Sequence, residues 1–122
     1  MKSATQSDRR ATTGTAAAPD LGRALDLLWI RFLPEIRKRV ELLEATASAC
    51  ASNQLSAAER DGAHAAAHKL AGTLGTFNLT RGTDLAREFE LKFSGGRALD
   101  AALAERLAAI AAELRTIIDN RN

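Results

Sequence analysis

The sequence predicts an all-α protein: an antiparallel four-helix bundle with a disordered N-terminal tail and a short or kinked extra N-terminal helix. Three observations carry this. Apolar residues recur at three- and four-residue steps, and no segment alternates with period two. The 122 residues are 46% hydrophobic but only 4% aromatic, so the core has to come from Leu, Ile, Val and Ala, which suits packed helices. The segments between the periodic runs are short, which makes neighbouring helices antiparallel.

Residues 1–19 are rich in Ser, Thr and Ala, lack an apolar period and end in Pro19, so they read as a disordered tail. They hold no apolar h-region and are not a secretory signal. The folded domain is expected over 20–122. Asp20 is a helix N-cap by type. Leu25, Leu28, Trp29, Phe32, Ile36, Val40 and Leu43 then form a helical stripe. Pro34 interrupts it, because a proline lacks the N–H and clashes with the preceding turn. A short helix followed by a longer one to about Ser52, or one kinked rod, is expected. Ser56 to Glu59 reads as a capping box. It opens a helix to about Phe77, with a turn at Asn78–Thr80. The next helix covers about Arg81 to Phe93, with Leu85, Phe89 and Phe93 inward. Ser94-Gly95-Gly96 breaks it. The last helix runs from about Leu99 to Asp119 on Leu103, Leu107, Ile110, Leu114 and Ile117.

Charge and cysteine content exclude several classes. Of 17 basic and 15 acidic residues, three and one lie in the first 19, leaving 14 of each in the folded part. A nucleic-acid binder normally carries a basic face, so none is expected here. Arg37-Lys38-Arg39 is balanced by Glu35, Glu41 and Glu44 and reads as a solvated face. No run of about 18 apolar residues is present to span a membrane. Cys50 has no partner for an intramolecular disulfide, which fits a reducing, cytoplasmic setting; it reads as a small buried residue.

The second bundle helix contains the unusual stretch AHKLAGTLGTFNL, Ala67 to Leu79. Two glycines there each weaken a helix by roughly 0.5–1 kcal/mol relative to alanine. On a wheel centred on Leu70, the residues Ala63, Ala66, Ala67, Leu74 and Phe77 fall within about 60° and form the core stripe. His68 falls at roughly 160°, facing solvent, and Gly72 and Gly75 lie within about 40° of it. The glycines therefore clear the surface around an exposed histidine. A neutral imidazole nitrogen is a nucleophile, and it attacks phosphorus if a phosphoryl group is presented in line. Cations close by are few. Lys69 is adjacent but about 100° round the helix.

These residues resemble the histidine-containing phosphotransfer (HPt) domain family. Its motif, a histidine followed by Leu, Lys, Gly and a small or hydroxyl residue, reads here as His68, Leu70, Ala71, Gly72 and Thr73. The likeness continues through GTFNLTRGTDLAREFE and covers about residues 20 to 119. It implies a four-helix bundle that relays phosphoryl groups to or from receiver-domain aspartates in two-component signalling. His68 is then the phosphoacceptor, with Lys69, Gly72, Thr73 and Gly75 in support. His64, Arg81 and Arg87 form a possible docking face. The partners implied are response regulator receiver domains and a sensor or hybrid histidine kinase. No cofactor of its own is expected, Mg²⁺ being supplied by the receiver, and the chain is expected to be a monomer. The family's lysine is replaced by Ala71. That departure keeps open a second reading, a non-catalytic helical adaptor that binds a receiver or another signalling partner.

His64 and His68 have an i, i+4 spacing that binds zinc in other contexts, with Asp61 as a third ligand. No Glu follows His64, so the hydrolytic zinc pattern is absent. Bundle metal sites face inward, and no metal site is expected. The chain has no Gly-rich nucleotide-binding pattern and reads as a phosphorelay intermediate, without kinase activity of its own.

Overall fold

The computed structural model describes residues 14–93 and 98–121, those of 14–19 by backbone alone. Four helices follow in order: α1 (Gly14–Ala51), α2 (Ala57–Thr76), α3 (Thr80–Lys92) and α4 (Ala101–Arg121). The chain divides into two compact units, Met1–Leu33 and Pro34–Asn122, and α1 contributes to both.

The first unit departs from expectation. α1 begins at Gly14, ahead of the tail boundary set at Pro19, and Asp20 lies inside it as an ordinary helical residue. The run Ala16–Ala18 has the strongest helix propensity of any residue type and extends the helix upstream. Residues 1–13 of the expected tail lie outside the described residues. Of the two forms expected around Pro34, a separate short helix or one rod, the single rod is seen: α1 runs through Pro34, and the unit boundary falls at that residue. Leu28 and Phe32 were expected in the core stripe but are exposed, as are Leu21, Leu27 and Ile30. A single helix by itself has no second layer to cover such a face. Trp29 is buried, as expected.

The second unit is the four-helix bundle. Each neighbouring pair runs antiparallel, as cross-helix contacts show. Arg115 pairs with Glu44 and Asp119 with Arg37, so α4 descends as α1 rises. Arg81 reaches Glu113 and Arg106 reaches Glu88, which sets α3 against α4. The core is aliphatic: Ile36, Val40, Leu43, Leu70, Leu74, Leu85, Leu107, Ile110 and Leu114 are fully or almost fully buried, with Phe89 among them. At the end of α4 the buried residue is Ile118 rather than Ile117, which is half-exposed.

Helix ends follow local chemistry. The Ser56 hydroxyl accepts from the Glu59 N–H at 3.1 Å, and the Glu59 carboxylate accepts from the Ser56 N–H at 2.8 Å, the reciprocal box expected. Asp100 caps α4 by accepting from the Leu103 N–H at 2.8 Å, so this helix starts at Ala101 rather than Leu99. α1 and α2 both stop at an asparagine in the left-handed region, Asn53 (φ 56°) and Asn78 (φ 59°). Around Asn78 the Leu79 N–H bonds the Leu74 carbonyl and the Asn78 N–H bonds the Gly75 carbonyl, the paired closure of a Schellman end. The expected break at Ser94-Gly95-Gly96 lies outside the described residues.

α3 approaches its neighbours most closely at Gly82. A Cβ there would sit 2.9 Å from Leu74 Cδ1 and 3.6 Å from Ile117 Cγ2. This glycine, which the sequence pattern did not single out, is the one whose missing side chain lets helices pack.

Candidate functional site

The α2–α3 hairpin sets the site. Residues equidistant in sequence from Leu79 face each other across it. Four residues either side, a Cβ on Gly75 would meet Thr83 Oγ1 at 3.6 Å. Eleven residues either side, His68 meets Glu90. The Thr83 hydroxyl also donates to the Ala71 carbonyl at 3.3 Å, tying the two helices between these points.

His68 stands where the helical wheel put it, with its side chain 72% exposed. Its Nδ1 lies 2.9 Å from Glu90 Oε2. An ionised carboxylate only accepts, so Nδ1 carries the proton and donates it. In the neutral ring of that tautomer, Nε2 holds the free lone pair. The same Glu90 oxygen is 3.7 Å from His64 Nε2, beyond hydrogen-bond range. Glu90 therefore orients His68 and not His64. Glu90 was missed in the sequence, although reflecting His68 through the α2–α3 turn points straight to it.

A shallow depression of about 300 Å³ opens beside the ring, lined by His68, Ala71, Gly72, Arg87, Glu90 and Leu91. A Cβ on Gly72 would meet nothing within 4 Å, so this glycine leaves open space and eases no packing. Gly75 is different, since its Cβ would make ordinary contact with Thr83.

The remaining candidates separate. Arg87 lines the depression with His68. Arg81 does not: its guanidinium makes a two-pronged pair with Glu113 of α4 at 2.8 and 3.1 Å. Lys69 lines a different groove, between α1 and α2, with Glu35, Lys38, Arg39 and Glu41. The Thr73 hydroxyl bonds the Lys69 carbonyl one turn back. Glu44, read as part of the balance for the basic run at 37–39, instead pairs with Arg115. Among the described residues, no group of three His, Cys, Asp or Glu side chains is arranged to hold a metal ion. Cys50 is buried, and burial is the main cause that pushes its thiol upward, with the Asp100 carboxylate adding to it against Arg60. It stays protonated and is a poor nucleophile.

The model of the Hpt domain family matches residues 27–120. The chain belongs to the Hpt family. Hpt domains carry out histidine phosphotransfer in two-component signalling, partnering response-regulator receivers and kinases. As a class they carry phosphoryl groups and have no kinase activity of their own. Protein RcaC of Microchaete diplosiphon is 31% identical over 96 residues, 79% of this chain and 15% of RcaC. No solved structure matches the chain significantly. No described helix of this Hpt domain is long and apolar enough to cross a membrane.

Proposed function

We propose that this Hpt domain takes a phosphoryl group on Nε2 of His68 from a receiver aspartate and returns it to another, as a monomer without catalysis of its own. The exposed His68 ring, held by the Glu90 hydrogen bond beside the open ground at Gly72, carries the reading. The lone pair attacks phosphorus, the Nε2–P bond forms, and the acyl phosphate O–P bond breaks to release the aspartate carboxylate. The ring, protonated at Nδ1, becomes cationic, and the Glu90 carboxylate stabilises that charge. The same charge makes the imidazole a good leaving group, so the step runs in reverse towards the next receiver. The receiver supplies the Mg²⁺ that neutralises the phosphoryl oxygens, while this chain supplies the aimed nucleophile and clearance for in-line approach. The sensor or hybrid kinase charges the first receiver.

The test is incubation with a panel of phosphorylated receiver domains and Mg²⁺. Acid-labile, base-stable phosphate on this protein, lost in His68→Gln, is the expected result. Receiver binding with no phosphate transferred would overturn the reading in favour of an adaptor.

A further inference from the structure

We propose that Arg87 is the cation that grips the phosphoryl group on His68; this rests on His68 being the acceptor. A phosphoryl group brings a charge of about −1.5 to −2. The pocket it enters already contains a carboxylate, Glu90, within hydrogen-bond reach of the ring. The cationic ring between them offsets only one of these negative charges, so a further cation facing the phosphoryl group is favoured. Among the residues lining the depression only Arg87 has one. Ala71 lines it without charge, and Lys69 opens into the α1–α2 groove instead.

Arg87 is also the cation of α3 left without a carboxylate among the described residues. Arg81 is committed to Glu113, and Lys92 to Glu88 at 3.6 Å. On the facing helix Arg106 holds Glu88, and Arg115 holds Glu44. Glu90, three residues on from Arg87 and within reach of it along the helix, is turned to His68 instead. A bundle that pairs its neighbouring arginines leaves this one facing the depression. A guanidinium presents a planar fork that matches two phosphoryl oxygens. The empty ground over Gly72 gives those oxygens room.

The test separates gripping phosphate from docking a protein. Phosphoramidate is a small donor that needs no docking surface. Its P–N bond breaks, the Nε2–P bond forms, and ammonia leaves. Wild type, Arg87→Ala, Arg87→Lys and His68→Gln are labelled with it, and the second ionisation of the phosphohistidine is titrated by ³¹P NMR. Thermal melting checks that each variant folds. The expected result is labelling slowed by about tenfold or more in Arg87→Ala. Its titration midpoint should rise by about half a pH unit or more, because the cation no longer favours the dianion. Arg87→Lys should fall between. An unchanged rate and midpoint in Arg87→Ala overturns the proposal. So does slower transfer from receivers with normal phosphoramidate labelling and a normal midpoint, which makes Arg87 a docking residue only. Wild type that takes no phosphate on His68 overturns the acceptor reading and this proposal with it.

Discussion

The seams that α4 makes with α1 and α3 differ from the seam between α2 and α3 in how charge is used. Arg115–Glu44 and Arg106–Glu88 are two-pronged pairs, with all four N–O distances between 2.6 and 2.7 Å. In each of these pairs one carboxylate is matched by one guanidinium. Across the α2–α3 seam the carboxylate of Glu90 meets an imidazole, and Arg87 is left over. Closed pairs register helices. A charge held beside a nucleophile, with a cation in reserve, prepares a site for an incoming anion.

The largest effect separating the two seams is expected at His68. His68→Gln should fold normally, changing stability by less than about 0.5 kcal/mol because the side chain faces water. It should take no phosphate from any receiver. Labelling that persists in this variant would move the acceptor elsewhere. His64→Ala should keep its label, since His64 lies beyond hydrogen-bond distance of Glu90.

Gly72→Gln should come next. A glutamine there gains roughly 0.5–1 kcal/mol of helix propensity. Its side chain leans towards the helix N-terminus and over the imidazole. Transfer from a phosphorylated receiver should slow by at least about tenfold, a barrier increase of roughly 1.4 kcal/mol. Thermal melting and transfer rate on one preparation decide it. Unchanged transfer would mean that the glycine does not serve access.

Glu90→Ala should slow transfer by several-fold to about tenfold, for loss of one oriented charge at an exposed site. Glu90→Gln should recover part of the rate. Its amide oxygen still accepts from Nδ1–H, but the negative charge that stabilises the cationic ring is gone. Equal rates in both variants would reduce Glu90 to a packing residue.

Much of this contrast was legible in the sequence, and the rest was hidden for identifiable reasons. The outward His68 and the open Gly72 follow from the helical period alone. The capping box at Ser56 is likewise a local signal. Glu90 required the register between two helices, which the turn at Asn78 fixes through its left-handed backbone. Arg81 and Arg87 are the same residue type six positions apart, and only the structure shows that α4 claims the first. Pro34 was read as a break or a kink because its local penalty is clear, and the helix continues through it, the single-rod form of that expectation.

The two kinds of glycine offer a smaller and paired test. Gly72→Ala should stabilise by about 0.5–1 kcal/mol, because its Cβ enters open space. Gly82→Ala gains the same propensity but forces a methyl to 2.9 Å from Leu74, which is fully buried. Overpacking of this kind costs about 1–3 kcal/mol, so a net loss of about 1 kcal/mol is expected. Thermal melts of the two variants should move in opposite directions. Shifts of the same sign would show that Leu74 rotates freely out of the way.

The smallest effect belongs to the Arg115–Glu44 pair between α1 and α4. The hydrogen bonds from Arg115 hold the Glu44 carboxyl below the usual carboxylate range, and partial burial opposes them only in part. A carboxyl lowered in the folded state stabilises the fold while it is ionised. That contribution is complete above the unfolded value near 4.5 and disappears as pH falls through the lower folded value. Both partners are more than a third exposed, so solvent screening limits the pair to about 0.5–1 kcal/mol. Glu44→Gln should therefore lower the urea midpoint at pH 7. The two midpoints should approach each other on acidification and meet once Glu44 is protonated in both states. High salt should narrow the gap at pH 7 in the same way. A gap that stays constant from neutral to acid pH would mean that the glutamine disturbs packing between α1 and α4. The seam would then be held by shape, and its contrast with the α2–α3 seam would no longer rest on paired charge.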